Sequence, residues 1–144
     1  MNVIQKIREI LDESYPEIIY NIENGVELSI DKTAQNGFDV RVIDASSESI
    51  IYFNQWHWHF DNNSNDVDQL YLIFGYALSK HGRLKAFIKG GKEYKWNFET
   101  LNSLDGEWTV FGTTGTVNLK FWLEPTVKIY QNEMIEISQT HQAP

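Results

Sequence analysis

The chain has 144 residues, contains no cysteine and carries a formal net charge of −8. The lack of cysteine excludes disulfides, thiolate catalysis, iron–sulfur clusters and cysteine-ligated zinc. This length suits one hydrophobic core, so we expect a single domain over residues 1–144. The first residues lack the features of a signal peptide, and no apolar run is long enough to cross a membrane, so we expect a cytoplasmic protein.

The acidic charge is concentrated in the first half of the chain. Residues 1–70 hold 13 acids and 4 Lys or Arg, a net of −9, whereas residues 71–144 hold 7 acids and 8 Lys or Arg, a net of +1. Such a field repels nucleic-acid phosphates and anionic membranes, and it attracts basic proteins. It also serves simply to keep a small protein soluble. We expect a basic protein partner, no nucleic acid and no membrane.

The N-terminal residues are predicted to form a helix followed by a hairpin. Apolar residues at helical spacing predict an amphipathic helix over 2–13 that ends before Pro16. In the hairpin, a three-residue loop with a left-handed Gly25 places the apolar residues on one face by pairing Ile22 with Val26. The burial pattern therefore selects this register over a two-residue turn.

A second hairpin, predicted over 38–44 and 49–53, leads into the most informative stretch of the chain, the run of aromatic and histidine residues at 56–61. An extended backbone sends alternate side chains to opposite faces. The aromatic set is expected to face the core and comprises Trp56, Trp58 and Phe60. The polar set is expected to face outward and comprises His57, His59 and Asp61.

A second helix is predicted over about 66–80, because apolar residues recur there at spacings of three and four. Either Asn65 or Asp66 is expected to cap its start, and Gly82 lies just beyond its end. From Arg83 onward the alternation predicts an antiparallel β-meander. The sequence therefore predicts an α+β fold with a central helix and a C-terminal meander.

The first hairpin of the meander is predicted from the way its side chains pair. A turn at 90–92 places Leu84 opposite Phe98 and Ala86 opposite Trp96. Apolar residues then share one face of the hairpin, and charged residues of opposite sign share the other.

The end of the chain is predicted to form a further hairpin, over 108–112 and 117–123, and a last strand over 127–130. The tail after about residue 138 is predicted to be disordered. The apolar residues expected to face the core from this part are Trp108, Val110, Leu119, Phe121, Val127 and Ile129.

This register leaves a basic and aromatic face on the opposite side of the meander. We expect this face to be covered by the rest of the chain or by a second copy, in preference to single-stranded nucleic acid. Self-association through the sheet face is therefore one open function. The residues of this face are Lys85, Phe87, Lys89, Lys95, Phe111, Lys120, Trp122, Lys128 and Tyr130.

One candidate site is a metal or proton-transfer site at the outward set of the histidine run. His57 and His59 have the spacing of a two-imidazole clamp, and Asp61 can supply an oxygen ligand from the same face. The alternative, which we favour, is that both imidazoles hydrogen-bond neighbouring backbone or carboxylate groups at the strand surface. We expect no cofactor, and the usual nucleophile-elbow, phosphate-loop and dinucleotide motifs are missing, so we do not expect an enzyme.

A second candidate site is the acidic connection that precedes the central helix. Its spacing resembles a calcium loop, but Asp66 and Leu72 stand where that loop needs glycine and glutamate. Exposed carboxylates on a connection are suited to meeting the Lys and Arg side chains of a partner. We therefore expect Asp61, Asp66 and Asp68 to bind a basic partner.

In general character, an acidic, cysteine-free α+β chain without catalytic motifs resembles the immunity proteins of bacterial polymorphic or contact-dependent toxin systems. The run at 56–61 with the following helix and meander is also similar to small bacterial α+β proteins of uncharacterised function. The first resemblance implies a binding protein that neutralises a cognate toxin domain, although it carries over no individual residue. A metal-binding protein or metal-dependent enzyme that uses His57, His59 and Asp61 stays open beside it, as does a self-associating module.

Overall fold

Residues 2–137, the part of the chain that the structure describes, form two helices and nine strands in this computed structural model. The predicted α+β class is confirmed, and the tail after residue 138 lies outside the described residues. In chain order the elements are α1 Val3–Ser14, β1 Asn21–Glu23, β2 Glu27–Ile30, β3 Val40–Asp44, β4 Glu48–Phe53, β5 Trp56–Asp61, α2 Ser64–Leu78, β6 Gly82–Lys89, β7 Lys92–Leu101, β8 Trp108–Gly115 and β9 Thr126–Tyr130.

The strands form two antiparallel sheets. The first sheet has the order β1-β2-β3-β4-β5, and the second has the order β8-β7-β6-β9. Among residues 2–137, one face of the first sheet is buried, and it packs against both helices and the second sheet. The core therefore lies between the two sheets and the helices, and the opposite face of the first sheet is left open. The largest fully buried side chains are Trp56, Phe38, Phe53, Phe60 and Phe98.

Both helices begin at an asparagine cap. The side chain of Asn2 accepts a hydrogen bond from the backbone of Gln5 at 2.8 Å, and α1 ends ahead of Pro16 as predicted. The cap of α2 is Asn63, which accepts from the backbone of Asp66 at 2.9 Å. The predicted cap at residue 65 or 66 is therefore wrong, because the helix starts earlier. Neither described helix is both long and apolar enough to span a membrane.

The first hairpin has the predicted faces but not the predicted register. Ile22 lies opposite Leu28, and Val26 is exposed in the turn. The reason is local, because Asn24 and Gly25 both adopt positive φ, at 52° and 69°. This turn places Val26 in the connection and shifts the pairing by two residues, which keeps the buried face unchanged.

The hairpin of β6 and β7 has the predicted pairs at its centre. Leu84 lies opposite Phe98 and Ala86 opposite Trp96, so these predictions are confirmed. A β-bulge then shifts the register, and Ile88 lies opposite Glu93.

The predictions for β8 and the residues after it are largely wrong. Within residues 2–137, strand β8 pairs with β7 alone, and residues 116–125 form no strand. A bulge at Phe98 and Glu99 reverses the facing of β8, so that Phe111 points into the core and Val110 points outward. Strand β9 joins the edge of β6, with Tyr130 against the core. The residues predicted to be buried but found exposed are Val110, Leu119, Phe121, Val127 and Ile129.

The two sheets meet along a seam between β5 and β8. The indole nitrogen of Trp56 donates to the backbone oxygen of Gly112 at 3.0 Å. The hydroxyl of Thr114 accepts from the backbone N–H of His57 at 3.1 Å and donates to its carbonyl at 3.0 Å. The ring of Trp58 covers Gly112 so closely that a Cβ there would lie 2.5 Å from it. The seam therefore provides hydrogen-bond partners for some of the backbone groups at the edge of β5 that does not pair with β4.

We predict opposite effects when two glycines of this fold are changed to alanine. Gly112→Ala should lower the free energy of unfolding by about 1–3 kcal/mol, because the added methyl group overlaps the Trp58 ring. Gly75→Ala, within α2, should raise it by roughly 0.5–1 kcal/mol, because nothing lies within 4 Å of the added Cβ. Denaturant titration measures both values. A stabilised Gly112→Ala variant would contradict the close contact across the seam.

Candidate binding face

The open face of the first sheet carries a defined set of side chains from all five strands. Each of them alternates along its strand with a residue of the core, and each is exposed or half-buried. We call this surface the acidic face. Its residues are Asn21, Glu23, Glu27, Ser29, Arg41, Ile43, Glu48, Ile50, Tyr52, His57, His59 and Asp61.

A row of stacked planar groups crosses the centre of the acidic face. The guanidinium carbon of Arg41 lies 4.4 Å from the centre of the Tyr52 ring. Tyr52 stacks on His57 at a centroid distance of 5.4 Å, and His57 meets His59 edge to face at 5.7 Å. These contacts hold side chains on an exposed sheet in fixed positions. The row is therefore a pre-organised aromatic surface on the open side of the sheet.

Two pairs of carboxylates lie directly opposite one another across the strands. Glu23 is paired with Glu27, and Glu48 is paired with Asp61. Like charges at directly opposed positions destabilise a sheet. Four acids against one Arg give the face a net charge of −3 with neutral histidines. No Lys or Arg in residues 2–137 makes an ion pair with these four carboxylates.

The two histidines have different neighbours. The Nδ1 atom of His59 lies 3.0 Å from a carboxylate oxygen of Glu48. The Nδ1 atom of His57 lies 3.5 Å from the carbonyl oxygen of Gln55, which is at the limit of a hydrogen bond. His59 thus contacts a neighbouring carboxylate, as the favoured interpretation of the sequence expected.

The structure places the three predicted metal ligands, His57, His59 and Asp61, on the same face of β5. Within residues 2–137, however, no group of three or more His, Cys, Asp or Glu side chains is arranged to hold a metal ion. Glu48 contacts His59, and within residues 2–137 no carboxylate hydrogen-bonds to His57. This geometry gives the metal-binding alternative no support beyond the shared face.

The three predicted partner-binding residues lie in different environments. Asp61 is exposed on the acidic face, and Asp68 is exposed on α2. The carboxylate of Asp66 accepts from the backbone N–H of Asp61 at 3.1 Å, so it holds the connection in shape. The sequence reasoning missed Glu23, Glu27 and Glu48. Only the register of the strands could have revealed them, because each is paired with another acid across the sheet.

A cleft of about 490 Å³ opens at one end of the acidic face, beside Arg41 and Tyr52. On its far side the carboxylate of Glu93 accepts from the Trp96 indole at 2.7 Å and from the Tyr130 hydroxyl at 2.5 Å. Burial, together with the hydrogen bond and charge of Glu93, raises the pKa of Tyr130 to about 12. Tyr130 therefore stays protonated, and its contact with Glu93 joins β9 to the start of β7.

No protein-family model, curated protein or solved structure matches this chain.

We predict that Tyr130→Phe changes how stability depends on alkaline pH. The pKa of Tyr130 is higher in the folded chain than its ordinary value of 10. The protonated Tyr130 hydroxyl therefore makes its full contribution to the free energy of unfolding below pH 10, and this contribution is lost as pH rises toward 12. When the free energy of unfolding is measured at a series of alkaline pH values, it should fall less steeply with pH in Tyr130→Phe than in the unchanged chain. An identical pH dependence in Tyr130→Phe and the matched variant Tyr94→Phe would contradict this assignment.

Proposed function

We propose that this chain is a non-enzymatic protein-binding module whose acidic face binds a basic surface of a partner protein. The observation that carries the proposal is the pairing of carboxylates across the strands, Glu23 with Glu27 and Glu48 with Asp61. Each pair lowers the stability of the free sheet, and a cation from outside would relieve it. A Lys or Arg side chain placed between two such carboxylates makes charge-assisted hydrogen bonds.

The centre of the face supplies the other contacts that a protein interface needs. Ile43 and Ile50 lie side by side between the acidic rows, and Tyr52 and His57 stack next to them. Interfaces commonly combine an apolar and aromatic centre with a polar rim. The aromatic rings also attract partner cations directly. The acidic face therefore offers both shape and charge for a basic partner.

The partner class is suggested by the general resemblance to immunity proteins, which implies a toxin domain. A basic toxin domain, such as a nuclease, would be drawn to the net negative charge of this face, and charge steering would speed its association. An inhibitor of this kind works by occupying the surface that the toxin uses, and it needs no chemistry of its own. The cytoplasmic location expected from the sequence stays a prediction.

The first test asks whether a partner exists. The immobilised chain is used to capture the product of the neighbouring gene, and that product is expressed alone and together with this chain. The proposal predicts direct binding, and growth arrest by the neighbouring product that co-expression relieves. A neighbouring product that neither binds nor harms growth would contradict the toxin class of partner.

The second test compares two variants that each lose two negative charges. Glu27→Gln with Asp61→Asn removes one acid from each opposed pair. It should slow association with the partner by about tenfold at low salt. Glu9→Gln with Glu13→Gln removes the same charge from the exposed side of α1 and should have a much smaller effect. Rapid-mixing kinetics over a range of salt concentrations gives both rates, and equal effects of the two double variants would contradict the acidic-face proposal.

The same substitutions should raise the stability of the free chain. Relief of each opposed carboxylate pair is expected to contribute about 0.2–1 kcal/mol to the free energy of unfolding. The control double variant on α1 relieves no such pair and should change stability less. Denaturant midpoints at low salt measure the difference. A loss of stability in Glu27→Gln with Asp61→Asn would mean that these carboxylates serve the fold rather than a partner.

A further inference from the structure

A second exposed surface lies in the connection between β8 and β9, which is distant in sequence from the residues of the acidic face. Half of the twelve large apolar side chains that are exposed in residues 2–137 fall between 117 and 129. We call residues 116–125 the apolar loop. Four of its five large apolar side chains are 67–87 % exposed, and they are Val117, Leu119, Phe121 and Trp122; the fifth, Leu123, is half-buried. Concentrated exposure of this kind marks an interaction surface.

The apolar loop crosses the turn end of the β6–β7 hairpin. It leaves β8 where Gly115 lies opposite Lys95, and it enters β9 where Thr126 lies opposite Ile88. In between, the ammonium group of Lys120 lies 2.6 Å from the position that a Cβ on Gly90 would take. The loop therefore holds its apolar side chains at the end of the second sheet.

Lysines surround the apolar loop. Lys89 and Lys92 flank the hairpin turn, Lys120 lies within the loop, and Lys128 follows it. None of these four makes an ion pair with another residue in 2–137. Glu124 is the only acid of the loop. A ligand for this surface must therefore be both apolar and negatively charged.

Two occupants fit this surface poorly. Two symmetric copies would bring lysines against lysines, and Lys128 stands on the open edge strand, where a lysine opposes edge-to-edge pairing. Single-stranded nucleic acid binds by stacking successive bases on aromatic rings, and the loop presents only two such rings, Phe121 and Trp122, which meet edge to face at a centroid distance of 5.5 Å. Nucleic-acid bases also leave the aliphatic Val117 and Leu119 without a partner.

We propose that the apolar loop binds the surface of an anionic lipid bilayer. Exposed Trp, Phe, Leu and Val side chains insert at the boundary between headgroups and acyl chains, while surrounding lysines contact lipid phosphates. Trp122 and Phe121 are side chains that favour this boundary. The sequence predicted no membrane contact because the acidic charge of the chain repels anionic membranes. That charge is concentrated in residues 1–70, whereas residues 71–144, which include the apolar loop, carry a net charge of +1.

The test is sedimentation of the full chain with phospholipid vesicles. We expect binding to vesicles of equimolar phosphatidylcholine and phosphatidylglycerol, and much weaker binding to phosphatidylcholine alone. Phe121→Ser with Trp122→Ser should reduce partitioning by about tenfold or more. The control Ile19→Ser with Leu104→Ser removes two other exposed apolar side chains. It should leave partitioning unchanged, and thermal melts establish that both double variants fold.

A second readout reports insertion itself. Trp122 emission should shift to shorter wavelength when the anionic vesicles are added, and the shift should be lost in Trp122→Phe while binding persists. Lys89→Gln with Lys120→Gln should weaken binding and reduce its dependence on salt. Failure to sediment with anionic vesicles, or equal sedimentation of the Phe121 and Trp122 variant, would overturn the proposal. So would a dimer, or binding of an oligothymidylate, that the same variant abolishes, because either would assign the loop to another occupant.

Discussion

The arrangement of this molecule depends on how strand β5 is held between two neighbours. On one side β5 pairs with β4 through the regular ladder, and on the other side it meets β8 through the Trp56 indole and the Thr114 hydroxyl. Trp56 is completely buried and stacks on both Phe53 and Trp58. If β5 were turned over, His57 and His59 would be buried and the Trp56 and Trp58 indoles would be exposed, which is unfavourable. The seam contacts therefore determine which face of the first sheet is open.

The functional proposals follow from surfaces that the core leaves uncovered. The face opposite the Trp side chains collects carboxylates, a stacked aromatic row and two isoleucines, and its opposed acids are expected to lower the stability of the free chain. Features that oppose stability in this way often mark functional sites. The apolar loop is a second such feature, because water surrounds side chains that would be more stable in an apolar environment. The two surfaces differ in charge, and the partners proposed for them differ accordingly.

Short-range patterns were sufficient to predict the helices and the facing of β5. The alternation of Trp56 and His57 is decisive there, because a strand with one buried face has only one acceptable facing. The sequence could not predict the bulge beside Phe98, since that bulge depends on how β8 pairs with a distant strand. Alternation at 117–123 is typical of a strand, but one edge of β8 pairs with β7 and the other meets β5 at the seam. The opposed acids could not be predicted from the sequence either, because Glu48 and Asp61 become neighbours only through the register of β4 and β5.

The most direct test of this account is amide hydrogen exchange at His57. Its N–H lies on the edge of β5 that does not pair with β4, and it donates to the side-chain hydroxyl of Thr114 rather than to a backbone carbonyl. In Thr114→Val, which removes the hydroxyl but keeps the shape, His57 should exchange about tenfold faster or more. Thr114→Ser keeps the hydroxyl and should retain the protection of the unchanged chain. Equal protection of His57 in all three proteins would contradict the claim that the seam holds β5 in place.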